Sequence, residues 1–321
     1  MDDLILVLDY GGTKLSAALV RLPIPDGSIP AWEASRRVFT PVDADAAYEL
    51  AAMNRMATDL LAGRRPAAIG VSFGGPVDFA TGTVRLSHHV RGWENVPLTA
   101  LLATEFGAPA FVDNDANVAA LGEYRFGAGR GFRDLMYLTI STGVGGGWVL
   151  GGRPWRGHEG MAGEIGHTVV DPAGPVCLCG KRGCVERLAS GPYMATDVEE
   201  RLRAGATGGS ALHSVWSGER GTLTGRQVTE AAAAGDELAL EILLRGAWAL
   251  GTGIGNTANL VNPQRFILGG GVTKAGERWW AEVGRAARAT ALPEVHFDIV
   301  PAGLGDDAPL WGAVALAMEG R

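Results

Sequence analysis

Every cysteine of this chain lies in one short stretch. Cys177, Cys179 and Cys184 are separated by one and by four residues, and Gly180 and Gly183 lie between the last two. His167 stands ten positions before the first of them. Thiolates and a neutral imidazole are the ligands zinc prefers, and three cysteines with one histidine complete a tetrahedron. Free cysteines are often simply buried. Chance, however, seldom crowds all of a chain's cysteines into eight positions with glycines that let the backbone turn back. His167, Cys177, Cys179 and Cys184 are therefore read as the ligands of a structural zinc ion. Four protein ligands leave no open position, so the metal braces a loop and polarises nothing. Glu164 and Glu186 flank the cluster. With His167 they are read as pointing into a binding cleft.

A second set of residues suits phosphate. The apolar run Leu4–Asp9 ends in an acid and is followed by Tyr10-Gly11-Gly12-Thr13-Lys14, then by another apolar run. This spells strand, tight hairpin, strand. The amides of Gly11, Gly12 and Thr13 could cradle a phosphate, with Lys14 adding charge, and Asp9 suits a water-coordinated magnesium ion. Such a turn can also be only a hairpin, and the Walker spacing is missing. The plan recurs where LMYLTIS (135–141) leads into Thr142-Gly143-Val144-Gly145-Gly146-Gly147. A third loop, Gly269-Gly270-Gly271, either passes close to a nucleotide or is a strand-to-helix turn.

The elements that must hold these residues follow from periodicity. Strands are expected at 4–9, 15–20, 33–39, 67–73, 110–112, 135–141, 148–150, 265–268 and 297–300. Helices are expected at 44–62, 97–106, 116–126, 191–204, 226–234, 236–259, 279–289 and 309–318. Residues 205–225 read as loop. Both halves open with strand, glycine hairpin, strand, which suggests two similar lobes.

The totals narrow the function classes. The chain has 321 residues, 47% of them hydrophobic, enough for two domains. A net charge of −7 leaves no electrostatic footprint for nucleic acid. No run of 18 apolar residues and no basic-then-apolar leader pattern is present, so a soluble cytoplasmic protein without a membrane partner is expected. Three clustered cysteines fit a reducing compartment.

Taken together, D-Y-G-G-T-K (9–14), F-G-G-P-V-D (73–78), D-N-D-A-N (113–117), T-G-V-G-G-G (142–147), E-I-G-H (164–167) and C-L-C-G-K-R-G-C-V-E (177–186) resemble the ROK family of sugar kinases and repressors. The likeness spans essentially the whole chain, and the last two motifs are its most specific part. The resemblance implies an α/β, two-lobed actin-like ATPase (ribonuclease H-like) fold with a central cleft. The lobes are expected to comprise residues 1–117 with 308–321, and 118–307. It implies transfer of the ATP γ-phosphoryl, with Mg2+, to a hexose hydroxyl, glucose being the commonest substrate. Family roles then fall on Asp115 as the base, and on Gly75, Asn114, Asp115, Glu164, His167 and Glu186 as sugar contacts. Asp9, Gly11, Gly12, Thr13, Lys14, Thr142, Gly143, Gly269, Gly270 and Gly271 serve the nucleotide. A homodimer or homotetramer is expected.

A positioned carboxylate is the chemistry this transfer needs, because alignment and charge neutralisation matter more than covalent help. Asp115 at a helix start could be only a cap. Beside Asn114, the glycine hairpins and the metal cluster, it reads as the base. Asp113 reads as a strand-end carboxylate bound to backbone. Ser87-His88-His89 stands where the family often carries a Pro-Asn pair near the sugar, and reads as a wet loop. That departure leaves glucose, mannose, fructose and the N-acetylated hexosamines open, as polyphosphate is open as a donor. A sugar-sensing repressor is the rival class. Only three residues precede the first strand and no basic recognition helix is visible, so the enzyme reading is preferred.

Overall fold

The computed structural model describes residues 3–24, 29, 31–87, 89–205 and 209–320. By internal contacts the chain forms two compact units. One comprises Met1–Tyr137, Gly147–Ala162 and Ala302–Arg321, and the other Leu138–Gly146 and Gly163–Pro301. The division therefore falls later than residue 117: the helix after Asn114 stays with the first unit, because its partner is the C-terminal helix.

The elements run β1 (Leu4–Tyr10), β2 (Lys14–Arg21), β3 (Ala34–Phe39), α1 (Ala46–Leu61), β4 (Ala68–Phe73), β5 (Val77–Asp78), β6 (Thr83–Val84), α2 (Leu98–Phe106), β7 (Ala110–Asn114) and α3 (Asp115–Phe126). They continue with β8 (Leu135–Ile140), β9 (Val144–Leu150), β10 (Arg153–Trp155), α4 (Val185–Ala189), α5 (Gly191–Arg203), α6 (Leu212–Val215), α7 (Gly225–Ala233), α8 (Glu237–Val261), β11 (Arg265–Gly269), α9 (Glu277–Thr290), β12 (Asp298–Pro301) and α10 (Ala308–Glu319). The expected elements are present within a few residues of their expected ends. The short β5, β6, β10, α4 and α6 carry too few residues to show a period.

The first sheet has the order β3-β2-β1-β4-β7, and the second has β10-β9-β8-β11-β12. The two orders follow one plan, as the repeated strand–hairpin–strand pattern anticipates. In the first sheet β1 is antiparallel to β2 and parallel to β4, and β4 is parallel to β7. All seven residues of β1 are buried, which suits a central strand covered on both faces.

Register then sets a polar row across this sheet. Arg37 pairs with Ser16, Ser16 with Asp9, Asp9 with Ser72, and Ser72 with Asp113. Directly paired residues share a face. The same face of β4 carries Gly70, where an added Cβ would lie 1.9 Å from the Ala313 carbonyl oxygen of α10. Helix α10 also crosses α3 at backbone distance: a Cβ on Gly312 would lie 1.7 Å from the Val118 carbonyl oxygen. Small residues at the crossing thus bring α10 against both the sheet and α3, and this fixes the N-terminus of α3 at the end of β7.

In the second unit α8 is capped by Asp236, whose side chain accepts from the Ala239 N–H. Helix α8 is long and apolar enough to cross a membrane, but 67% of its apolar window is buried inside the structure, and it packs on α4, α7 and α9. It is a core helix. A Cβ on Gly246 would come within 2.8 Å of the Leu188 carbonyl oxygen, and one on Gly253 within 2.9 Å of Val185. Glycine on α8 is what lets α4 lie so close.

Replacing Gly312 with Val should lower stability by roughly 3 kcal/mol, the cost of overpacking a close crossing. Urea unfolding reads this directly, and an unchanged midpoint would contradict the packing described.

Candidate active site and metal centre

The first unit gathers Asp9, the Gly11–Lys14 hairpin, Gly75, Asn114 and Asp115. The hairpin closes through the Gly11 N–H donating to the Lys14 carbonyl at 3.1 Å. The amides of Gly12 and Thr13 have no protein acceptor among the described residues, which suits an anion. A Cβ on Gly12 would lie 3.0 Å from the His89 ring. His89 is exposed, as a wet-loop reading requires, yet its ring flanks the hairpin. His88 lies outside the described residues.

Asn114, not Asp115, is the N-cap of α3. Its Oδ1 accepts from the Ala116 and Asn117 amides, and its Nδ2 donates to the Gly75 carbonyl at 3.1 Å. Asn114 fills the N-cap position, and Asp115 also binds an N–H of the first turn. Asp115 is the first helical residue, and its Oδ1 accepts from the Ala116 N–H at 2.8 Å. Burial, then the nearby charge of Asp9, push the Asp115 carboxyl up to about 6. Burial likewise pushes Asp9 up to about 6, against the opposing charges of Lys14 and Arg37. A carboxylate poised near neutrality is what a general base requires.

Asp113 is 3% exposed and fully engaged. It accepts from its neighbour's amide at Asn114, from Asn117 Nδ2 at 3.2 Å, and from Arg156 Nε at 2.6 Å. Burial still holds its carboxyl above the usual range. It anchors the Asn114 turn, in keeping with the strand-end reading.

The second unit gathers the other set. The ligand atoms of His167, Cys177, Cys179 and Cys184 lie within 4.8 Å of one another. Cys179 Sγ is 3.6 Å from Cys184 Sγ, and Cys177 Sγ is 3.9 Å from His167 Nδ1. Tetrahedral zinc with thiolate bonds of about 2.3 Å separates its ligands by about 3.8 Å, so the residues fit the ion. Burial pushes the Cys184 thiol up to about 12 and raises Cys177. A cation among these sulfurs would be what makes them thiolates. The Lys181 ammonium binds the His167 carbonyl at 2.7 Å, and the Tyr193 hydroxyl accepts from the Leu178 N–H at 3.0 Å. Glu164 is exposed, and its carboxylate has no protein partner among the described residues.

Glu186 lies in α4, beside a backbone hairpin. It is 9% exposed and its Oε2 accepts from the Val144 N–H at 3.0 Å, beside the Thr142-Gly143 hairpin. The third loop is a turn into a 3-10 segment, Gly271–Ala275. Gly270 has φ 92°, and a Cβ there would lie 2.3 Å from the Ile140 carbonyl oxygen.

Sequence reasoning missed Arg156, whose guanidinium spans Asp113 and the Phe79 ring. No local pattern marks it. It also missed Arg37, whose Nε donates to Ser16 Oγ at 3.1 Å and whose Nη2 binds Asp307 at 2.8 Å. Strand register could have revealed that one. A cavity of about 730 Å³ in the first unit is lined by Phe79, Phe111, Arg153, Arg156 and Leu316 among others. None of the residues singled out from the sequence lines it, so the sugar site is not assigned there.

Sequence comparison places this architecture in a family. The model of the ROK family matches residues 5–320, and the chain belongs to that family. It is 41% identical over 250 residues to the glucokinase of Halalkalibacterium halodurans, covering 76% of this chain and 74% of that one. It is 34% identical to the N-acetylmannosamine kinase of Shigella flexneri, with 98% of each covered. Among solved structures, a ROK family glucokinase from Streptomyces griseus in complex with glucose and AMPPNP is 34% identical, with a TM-score of 0.81 and coverage of 98% and 99%.

The raised carboxyl of Asp115 gives a signed pH effect. Its folded value of about 6 exceeds the ordinary 3.8. Its contribution to stability is therefore present below the ordinary value and lost as pH rises through about 6. In nucleotide-free protein at neutral pH, Asp115→Asn should raise the urea midpoint by removing a buried charge. A lowered midpoint with native circular dichroism would contradict the stated environment.

Proposed function

We propose that this chain is an ATP-dependent sugar kinase of glucokinase type, which moves the γ-phosphoryl group to the 6-hydroxyl of a hexose. The observation that carries the reading is Asp115: a carboxyl at the first turn of α3, raised to about 6 by burial and by Asp9. In this reading the hydroxyl oxygen attacks the γ-phosphorus as the bond to the ADP oxygen breaks. The hydroxyl proton goes to Asp115. Mg2+ bound with the nucleotide would neutralise phosphate charge, with Asp9 available to hold it through water.

The N–H groups of Gly12 and Thr13, with Lys14, would take phosphate oxygens. Thr142 and Gly143 would serve in the same way, and Gly269–Gly271 would lie near the nucleotide. Asn114, tied to Gly75 and beside Asp115, would serve the sugar through its side-chain amide. Glu164, His167 and Glu186 would bind further hydroxyls. A sugar lacking a matching hydroxyl leaves such groups unpaired, which can cost up to roughly 10⁴ in selectivity. His167, Cys177, Cys179 and Cys184 would hold a structural zinc ion. Ligation through Nδ1 of His167 leaves Nε2 for a hydroxyl.

Glucose is the proposed substrate because the similarity to glucokinases includes the 41% identical relative. N-acetylmannosamine is the second reading, favoured by the full-length match to that kinase. A panel of glucose, mannose, fructose, N-acetylglucosamine and N-acetylmannosamine with ATP and Mg2+, read by ADP release, separates them. Glucose should give the highest kcat/KM, and Asp115→Asn should lose roughly 10² to 10⁴ in kcat. Near-normal turnover by that variant would remove Asp115 from its role. With the wild type, kcat/KM should fall tenfold per unit below about pH 6, where Asp115 is protonated. A decline that begins only below pH about 4 would mark an ordinary carboxylate.

A further inference from the structure

The Thr142-Gly143 hairpin is gripped by the metal-cluster segment at several backbone atoms. Glu186 Oε2 accepts from the Val144 N–H at 3.0 Å. A Cβ on Gly143 would lie 2.8 Å from that same oxygen, so the carboxylate packs against the hairpin as well as bonding it. On the carbonyl side, a Cβ on Gly166 would lie 2.0 Å from the Val144 oxygen. Three residues before Val144, the Gly191 N–H donates to the Ser141 carbonyl at 2.9 Å. Glu186 itself is held from behind. It lies in α4, two residues after Cys184, and the Val185 N–H donates to the Thr168 carbonyl at 3.0 Å. Helix α4 rests on the glycines of α8.

Only Oε2 of Glu186 is used in this way. Oε1 has no hydrogen-bond partner among the described residues. The terminal torsion of a glutamate is soft, so a carboxylate held at one oxygen can still swing. A hydroxyl bound to Oε1 would fix its plane, and with it the direction of the bond to Val144. Ordering paid at one ligand's arrival lowers the cost for the next.

We propose that Glu186 is a positioning residue that couples the two substrates: Oε1 takes a sugar hydroxyl while Oε2 fixes the Val144 amide and thereby the nucleotide hairpin. Hexose binding then tightens nucleotide binding. This inference rests on the sugar-kinase reading. It gives that enzyme a reason not to hold ATP productively when only water could accept the phosphoryl group.

Calorimetric titration of AMPPNP with Mg2+, with no glucose and with glucose saturating for each variant, tests it. In the wild type glucose should tighten AMPPNP by about fivefold or more, the lower end of usual coupling. Glu186→Ala should reduce that factor to below about twofold, a loss of most of the coupling. Glu186→Gln keeps an acceptor for Val144 and should retain AMPPNP affinity within about threefold of wild type, since a neutral bond replaces a charge-assisted one. Glu164→Gln should weaken glucose but preserve the coupling, since Glu164 does not touch the hairpin. Gly143→Ala reaches the same contact from the other side and should mimic Glu186→Ala, which keeps the test open if the latter fails to fold. Full coupling in Glu186→Ala, or its equal loss in Glu164→Gln, overturns the inference. Independent binding of both ligands to the wild type overturns the coupling alone. Failure to bind glucose or any other hexose of the panel overturns the kinase reading.

Discussion

The second unit depends on one crowded place, where three sulfurs and an imidazole nitrogen lie within 4.8 Å of each other. Left to themselves, such groups have no strong reason to converge. Buried thiols are weak hydrogen-bond partners, and like-charged thiolates repel. The zinc ion proposed above would turn this cost into the bond that holds the segment. The consequences spread along the chain: Cys184 fixes the start of α4, α4 carries Glu186, and Glu186 holds the Val144 amide. A metal-braced loop would thereby order a backbone hairpin that precedes it in the sequence.

The first unit solves a different problem. It keeps two carboxyls, Asp9 and Asp115, in surroundings that disfavour their charge. Such strain persists only where the scaffold is rigid. The rigidity comes from backbone-level contact of α10 with β4 and α3, and from the Asn114 cap tied to Gly75. Arg156 secures Asp113 beneath that turn. The residues nearest the proposed chemistry are thus held by groups that take no part in it.

Much of this was legible in the sequence. The glycine hairpins, the Asp113-Asn114-Asp115 turn and the cysteine cluster declare themselves through residue type and spacing, and long helices through their period. The polar row on the first sheet was legible only in principle, because it needs strand register. Helix α4 is too short to show periodicity, so Glu186 could be read as a candidate sugar contact but not as a residue buried in a helix against a hairpin. Arg156 had no signal, since its partner is 43 residues away in sequence. The return of the C-terminal helix to the first unit was anticipated, but not that α3 stays there with it, because the packing of α10 on α3 leaves no local trace.

Hydrogen exchange combined with metal analysis tests the central claim most directly. The account predicts one zinc per chain in protein purified without added metal. It also predicts that chelation removes amide protection from residues 164–187 and from the Thr142–Val144 hairpin together. Fully active protein without zinc, or a hairpin whose protection is indifferent to chelation, would contradict it.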